Sequence, residues 1–104
     1  MDNYLRIKIY LDEIQKGHKR TLYKEIIDKA LSFKIRGLTV YKGILGFGKD
    51  KHLHSFDILA LSENLPIIIE IVDKEISLQD FLSYLNSLQD IFVTVEKIDK
   101  VIGY

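Results

Sequence analysis

The sequence predicts an α+β fold whose elements follow one another in the order strand, helix, strand, strand, helix, strand. Four segments show the alternating or continuous apolar pattern of β-strands, and two show the apolar spacing of amphipathic helices. The composition is that of a folded chain, because 47% of the residues are hydrophobic, 29% are charged and one is proline. A length of 104 residues suits a single domain, which we expect to span residues 1–104.

The first strand and the first helix have the clearest patterns. Residues 4–11 alternate, with Leu5, Ile7, Ile9 and Leu11 on one face of the predicted strand and Tyr4, Arg6, Lys8 and Tyr10 on the other. Apolar residues at helical spacing follow Thr21, a residue type that is favoured at helix N-caps. We expect this helix to end at Gly37, since glycine tolerates the left-handed conformation that closes helices.

Shorter signals place the remaining elements. Residues 38–45 are rich in β-branched and aromatic side chains and predict the second strand. The nearly continuous apolar run of residues 65–73 predicts a third strand that is buried on both sides. Ser77 followed by Asp80 resembles a capping box and indicates a second helix, after which residues 91–98 predict the last strand. Residues 52–61 alternate only weakly and have no clear cap or turn, and this pattern is compatible with the extension of a hairpin arm.

This element order is that of the ferredoxin-like βαββαβ sandwich, a four-stranded antiparallel sheet with two helices on one face. Right-handed crossovers put both helices on the same side of the sheet. In the usual spatial order, the first and third strands lie side by side in the middle. We call the face of the sheet that points away from the helices the outer face.

The outer face predicts an oligomer interface, to which we assign Tyr4, Arg6, Lys8, Tyr10 and Glu70. It mixes apolar bulk with charges of both signs, and covering a large apolar side chain gains roughly 1.5 to 3 kcal/mol. A second copy of the chain would therefore bind there favourably, and Glu70 would need a cation such as Arg6 or Lys8 if it were buried. The alternative interpretation is a solvated surface without a partner.

Charge and composition exclude several classes of function. Fifteen acidic residues balance fifteen basic ones, so no overall field attracts the chain to nucleic acid or to an anionic membrane. The chain has no cysteine, which suits a cytoplasmic location. Its start has no signal-peptide pattern, and no apolar run approaches the roughly 20 residues that span a bilayer.

The sequence contains no pattern that indicates catalysis or a cofactor. It has no G-x-S-x-G elbow, no H-E-x-x-H motif and no cysteine nucleophile. His52 and His54 would project from one face of a strand, but two imidazoles rarely suffice for a metal ion, and further ligands would have to come from Asp50, Asp57 or another subunit. We therefore predict no enzyme activity, no metal and no cofactor.

The glycines at positions 43, 46 and 48 have two interpretations. They follow G-x-x-G-x-G order and precede no clearly capped helix, so they make a weak phosphate-loop signature and suit turns equally well. Lys49 and Lys51 beside them could attract an anion, although charged loop tips are usually only solvated.

Several segments of the sequence have a pattern that is specific for one protein family. The relevant segments are Leu22-Tyr23, Gly43-Ile44, Gly46-Phe47-Gly48, His54, residues 61–66 and residues 69–73. Together they resemble the prokaryotic family called domain of unknown function one-ninety, a branch of the PII-like superfamily. The resemblance covers nearly the whole chain.

The resemblance implies a trimer that binds a small ligand, often an adenine nucleotide, in clefts between subunits. It also implies that residues 46–56 correspond to the regulatory loop of PII signalling proteins. The ligand-binding residues expected on this basis are Gly43, Gly46, Phe47, Gly48, Lys49, His54 and Ser62.

Two departures from PII proteins proper limit what can be carried over. Those proteins hold nucleotide phosphates on a glycine- and lysine-rich loop before the last strand, whereas residues 86–90 contain neither residue type. The segment 46–56 also lacks the tyrosine at which some PII proteins are modified. The resemblance therefore does not extend to ATP binding in the PII manner or to that modification.

Two hypotheses of function follow from the sequence. The first is a PII-like regulator that binds a small ligand between subunits and signals through residues 46–56. The alternative is a non-catalytic adaptor that uses the same loop to dock a protein partner. A ligand-dependent rise in melting temperature is expected only of the regulator.

Overall fold

The computed structural model of the chain describes residues 3–46, 54–55 and 65–103. The strands are β1 (Tyr4–Asp12), β2 (Leu38–Lys42), β3 (Leu45–Gly46), β4 (His54–Ser55), β5 (Pro66–Lys74) and β6 (Phe92–Ile98). The helices are α1 (Leu22–Ser32) and α2 (Gln79–Asn86), and a 3-10 turn (Glu75–Leu78) leads into α2. The predicted βαββαβ order is confirmed, and the short pair β3 and β4 lies between its second and third strands.

The long strands form one antiparallel sheet in the order β2, β5, β1, β6. In the middle of β1, Ile7 lies opposite Ile71 of β5 and Val95 of β6. The first and third long strands, β1 and β5, are therefore the central ones, as predicted. A central strand has neighbours on both sides, so these two strands bury the most side-chain surface.

The hydrophobic core lies between the sheet and both helices. Alternate residues of β1 and β5 point into it, and Ile7, Ile9, Ile69 and Ile71 have no exposed surface. One cluster joins these side chains to the apolar faces of the helices, namely Leu22, Ile26 and Ala30 of α1 and Phe81 and Leu85 of α2. Since both helices contribute to the same cluster, both cover the same face of the sheet, as expected.

The third long strand is not buried on both sides within the single chain. Ile67, Ile69 and Ile71 of β5 are fully buried, whereas the residues between them on the outer face are half-buried. Ile68 and Val72 therefore retain solvent contact even though the sequence pattern is nearly continuous. The helices cover only one face, so a second buried face would need another molecule.

The first helix ends earlier than its glycine predicted. Helix α1 stops at Ser32, and Lys34, not Gly37, takes the left-handed conformation, with φ of 61°. The N–H of Lys34 donates to the carbonyl of Leu31, and that of Ile35 donates to the carbonyl of Ala30. These two bonds form a Schellman motif, which satisfies the last carbonyls of the helix.

Helix α1 begins after Thr21, as the sequence predicted, but the Thr21 side chain makes no capping hydrogen bond. Thr21 is extended at the N-cap, and its carbonyl accepts from the N–H of Glu25 at 3.2 Å. The Thr21 hydroxyl is buried and has no hydrogen-bond partner in the described part of the chain. The carboxylate of Glu25 instead accepts hydrogen bonds from the backbone N–H groups that precede the helix.

The predicted capping box at the second helix is wrong. Ser77 lies inside the 3-10 turn, and the N-cap position of α2 is Leu78, which makes no side-chain cap bond. The turn starts directly after β5, where the N–H of Glu75 donates to the carbonyl of Asn3. This bond fixes the direction of the chain at the end of β5. The 3-10 turn therefore begins at Glu75, before Ser77, which the sequence predicted as the N-cap.

The second strand is shorter than predicted. Strand β2 ends at Lys42, and Leu45 and Gly46 then pair with Ser55 and His54 as the short ladder β3–β4. This ladder confirms the hairpin-arm interpretation at those two positions of residues 52–61. Residues 47–53 and residue 56 of the loop that the resemblance assigns to 46–56 lie outside the described residues.

Candidate functional site

Several segments meet at one end of the sheet, which we call the loop end. It is the edge where β1 and β2 stop and β5 starts. The N–H of Glu13 donates to the carbonyl of Leu65 at 2.9 Å, and the N–H of Gly43 donates to the carbonyl of Pro66 at 2.8 Å. These bonds extend the antiparallel pairing of β5 with β1 and β2 by one residue beyond the end of each strand. They hold the exits of β1 and β2 beside the segment that re-enters the sheet.

An ion pair strengthens the loop end. The ammonium of Lys42 lies 2.5 Å from a carboxylate oxygen of Glu13, and the Glu13 side chain is only 20% exposed. The hydrogen bond to this carboxylate raises the pKa of Lys42 above its ordinary value. Lys42 therefore stays charged and ties the last residue of β2 to the first residue after β1.

A side-chain hydrogen bond adds the connection between α2 and β6 to this end. The amide of Gln15 donates to the carbonyl of Asp90 at 2.8 Å. Asp90 has a φ of 61°, the left-handed conformation in which aspartate is tolerated better than most residues. The connections after β1 and before β6 thus lie side by side although they are 75 positions apart in sequence.

The predicted ligand residues are partly located by the structure. Gly43 lies at the loop end, where a side-chain Cβ would come within 2.8 Å of the Pro66 ring, so the close approach of these two residues requires glycine. Gly46 and His54 face each other across the β3–β4 ladder. Phe47, Gly48, Lys49 and Ser62 lie outside the described residues. The ligand contacts assigned to all seven residues stay predictions.

The sequence reasoning missed a structured basic loop, residues 16–20, that also belongs to the loop end. The carboxylate of Glu25 accepts hydrogen bonds from the backbone N–H groups of His18 at 3.0 Å, Lys19 at 2.7 Å and Arg20 at 3.3 Å. These bonds, that of Lys19 first, hold the pKa of Glu25 below its ordinary value. The signal in the sequence was the absence of any acid from residue 16 to residue 24.

Arg6 and Glu70 of the outer face have side-chain partners within the chain. Arg6 lies opposite Glu96 and forms an ion pair with it at 3.0 Å. Lys8 lies opposite Glu70 across β1 and β5. Glu70 accepts a hydrogen bond from the Tyr41 hydroxyl, which raises the pKa of Tyr41. Within one chain, therefore, Glu70 accepts a hydrogen bond from Tyr41, and Arg6 forms its ion pair with Glu96.

The same face carries exposed aromatic rings. Tyr10 and Phe92 lie opposite each other on β1 and β6, with ring centroids 5.8 Å apart, and Phe92 is 65% exposed. An exposed aromatic pair next to half-buried Ile68 makes an apolar patch with charges at its margin. Such patches are typical of surfaces that bind another protein.

A cavity of about 530 Å³ lies at the opposite end of the sheet from the loop end. Its lining includes Tyr4, Thr39, Glu70, Val72 and the chain segment at residues 101–103. Gly37 also lines it. The buried carboxylate of Asp73 lies against this cavity but accepts from the N–H groups of Arg36 and Lys74. Asp73 is therefore a structural residue.

The described residues form neither a metal-ligand cluster nor a membrane-spanning helix. No three histidine, aspartate or glutamate side chains within residues 3–46, 54–55 and 65–103 come together as metal ligands. His52, Asp50 and Asp57 lie outside these ranges, so the metal hypothesis is not tested for them. Neither described helix has the length and apolar content needed to cross a membrane.

The fold is that of PII-like proteins. Two solved structures of the protein CPII from Thiomonas intermedia K12 match 94% of this chain and 90% of theirs, with TM-scores of 0.57 and 0.58 at 14% identity. CPII is described as a nitrogen regulatory PII-like protein. One of these structures contains ADP and bicarbonate, and the other contains ADP, AMP and bicarbonate. At this level of identity the likeness establishes the architecture.

The chain belongs to the family DUF190 (Uncharacterized ACR), whose model matches residues 4–100. A UPF0166 protein of Aquifex aeolicus (strain VF5) is 36% identical over 76 residues, which cover 72% of this chain and 79% of that protein. A UPF0166 protein of Methanocaldococcus jannaschii is 48% identical over 69 residues, covering 66% of this chain and 63% of that protein. The family resemblance read from the sequence is thereby confirmed.

Proposed function

We propose that this protein is a PII-like regulator that binds a small ligand between subunits and signals through residues 46–56. It is a cytoplasmic homotrimer of single-domain chains and has no catalytic activity of its own. The observation that carries this proposal is the meeting of four chain segments at the loop end, in a chain whose fold matches CPII over nearly its full length.

The loop end has the features of a ligand site that can report on its occupancy. Hydrogen bonds from Glu13, Gln15 and Gly43 make its base rigid, and the β3–β4 ladder leads out from that base. A ligand that contacts both the base and the ladder would bind one arrangement of residues 46–56 more tightly than others. A difference in affinity of that kind is what shifts a conformational equilibrium.

The outer face supports the trimer. Tyr4, Arg6, Lys8 and Tyr10 of β1 lie on this face, as the alternation predicted, and Glu70 of β5 lies opposite Lys8. Phe92 and Ile68 add apolar surface that a single chain leaves in contact with water. Burying these side chains between copies removes the exposed patch and creates seams at the margins of the sheet.

The proposed ligand is an adenine nucleotide, with bicarbonate as a second ligand, because the CPII structures contain both. Gly43 and Gly46 would let the ligand approach the backbone closely, and His54 would contact it from the ladder. Phe47, Gly48, Lys49 and Ser62 complete the proposed set.

Isothermal titration calorimetry with ADP, AMP and bicarbonate tests the proposal. We expect saturable binding of at least one of these ligands to the wild-type chain and a weaker interaction after His54→Ala. Lys97→Ala is the control, because Lys97 is exposed and lies opposite Leu5, at the end of the sheet away from the loop end. Absence of binding by all three ligands would contradict the regulator and favour the adaptor, which needs no small ligand.

A further inference from the structure

The connection between β1 and α1 concentrates positive charge. Lys16, Lys19, Arg20 and Lys24 fall within nine residues that contain no acid, and all four are exposed. The whole chain has no net charge, so this cluster is a local departure from the composition. A cluster of this kind attracts anions over a Debye length of about 10 Å at ordinary ionic strength.

The basic loop is held in one conformation. Its ends are closed by the bonds from the N–H of Gly17 to the carbonyl of Arg20 at 2.8 Å and from the N–H of Leu22 to the carbonyl of Gln15 at 2.7 Å. The carboxylate of Glu25 binds three successive N–H groups inside it. A fixed backbone lowers the entropy lost when its side chains hold a ligand.

Of the cations in this cluster, Lys16, Lys19 and Lys24 have no ion-pair partner in the described part of the chain, and the first two belong to the basic loop. Arg20 pairs with Asp28 at 3.1 Å, and Lys42, the other cation near the loop end, pairs with Glu13. Lys16 and Lys19 make no such pair with any described residue. Since Glu25 already occupies the backbone N–H groups of His18, Lys19 and Arg20, the groups of the basic loop that have no partner and carry positive charge are the ammonium groups of Lys16 and Lys19.

The position of the basic loop connects it to the loop end. Gln15, which precedes Lys16, is hydrogen-bonded to Asp90 in the connection before β6. Residues 86–91 contain no lysine or arginine, and neither do Leu65 and Pro66. Among the described segments that meet at this end, therefore, only the basic loop offers cations without an ion-pair partner to a ligand.

We propose that Lys16 and Lys19 bind the phosphate groups of the ligand at the loop end, a nucleoside diphosphate. This inference rests on the proposed function, since it specifies how the same site recognises its ligand. Lysine binds phosphate as a compact point charge, so the interaction depends strongly on salt and needs no bidentate geometry. The missing glycine- and lysine-rich connection before β6 is replaced by a loop from the other side of the same end.

The test compares ADP with adenosine, which lacks the diphosphate. Calorimetry on the wild-type chain should give a tighter dissociation constant for ADP, and this difference should shrink as sodium chloride is raised. In the Lys16→Gln/Lys19→Gln variant, ADP binding should weaken about tenfold or more while adenosine binding is unchanged. Inorganic pyrophosphate should compete with ADP for the wild-type chain only.

The matched control is Lys34→Gln/Lys97→Gln, which removes the same charge from two exposed lysines away from the loop end and should leave ADP binding unchanged. ADP binding that is equally strong in the Lys16/Lys19 variant would overturn the inference and leave the proposed function standing. A wild-type chain that binds neither ADP nor adenosine would overturn the inference, and one that also binds neither AMP nor bicarbonate would overturn the proposed function as well. Melting temperatures of the variants establish that they remain folded.

Discussion

The carboxylate of Glu25 lies 2.7 Å from the backbone nitrogen of Lys19 and accepts its hydrogen. Glu25 belongs to the first turn of α1, and Lys19 belongs to the loop before it. The contact therefore takes the place of an ordinary side-chain cap, and it lets a loop with four nearby cations keep one shape. It makes the shape of the loop depend on a charge that is carried by the helix.

Glu25→Gln should loosen this loop. The neutral amide is a weaker acceptor than a carboxylate, so the N–H groups of His18, Lys19 and Arg20 should exchange with solvent deuterium faster. Hydrogen exchange followed by NMR measures each amide. Glu75→Gln is the control, because Glu75 also begins a helical turn but its carboxylate has no hydrogen-bond partner in the described part of the chain. Unchanged exchange at residues 18–20 in Glu25→Gln would show that the carboxylate does not hold the loop.

The same contact predicts a pH dependence. The pKa of Glu25 is lower in the folded chain than in the unfolded one, so its contribution to stability is present above the ordinary pKa of glutamate. It is lost as the pH falls through the lowered, folded-state pKa. The difference in melting temperature between the wild type and Glu25→Gln should therefore be largest near neutral pH and vanish in acid. A difference that grows in acid would contradict the assignment.

Gly17→Ala should destabilise the chain by about 1 to 3 kcal/mol. A Cβ at position 17 would overlap the Glu25 carboxyl group and lie 2.9 Å from the carbonyl oxygen of Arg20. Gly37→Ala is the matched control, since its Cβ would lie 3.5 Å from the nearest atom, the carbonyl oxygen of Val72. Urea unfolding measures the free energy of unfolding of both variants. Equal effects of the two substitutions would mean that close approach does not decide the residue at position 17.

Glu70→Gln should lower the pKa of Tyr41. The Glu70 carboxylate raises that pKa, chiefly through the hydrogen bond from the Tyr41 hydroxyl, while Arg6 lowers it. Ultraviolet titration of the tyrosines, with Tyr41→Phe to identify the signal, follows the change. Asp80→Asn is the control, because Asp80 is exposed on α2 and makes no contact with Tyr41 that the structure describes. A Tyr41 titration that does not respond to Glu70→Gln would rule out the hydrogen bond.

Tyr10→Glu should dissociate the proposed trimer. It puts a charge beside Phe92 on the outer face, and an unpaired charge is costly to bury between subunits. Sedimentation velocity should show the wild type as three 12.1 kDa chains and the variant as one. Ile76→Glu, which changes an exposed residue away from the outer face, should remain trimeric. A wild-type chain that sediments as a monomer at micromolar concentration would contradict the interface itself.

Much of the fold could be predicted because its signals are local. The alternation of β1 assigns Leu5 to the core and Arg6 to the outer face, and a period of two residues leaves no other choice once one face is buried. The order of the elements then limits the topology, so the central position of β1 and β5 followed. Of the seven residues predicted to contact a ligand, Gly43, Gly46 and His54 lie in the described part of the chain, and the ligand contacts of all seven stay predictions.

The errors concern places where packing overrides a local preference. Lys34 takes the left-handed conformation because that turn lets Ile35 pack against the core and donate to Ala30. This gain exceeds the cost of roughly 1 to 2 kcal/mol for a residue with a Cβ. Gly37, three positions further along the chain, is the residue type that favours this conformation more strongly. A helix that continued to Gly37 would not place Ile35 in that packing.

The sequence by itself determined the element order, the central strands, the face of β1 that is buried and the family, because each depends on periodicity or on residues close together in the chain. Only the tertiary structure placed Gln15 against Asp90, Lys42 against Glu13 and the Glu25 carboxylate inside the basic loop. Contacts of this kind depend on how segments meet in space, and a hydrogen bond between residues 75 positions apart has no periodic signature.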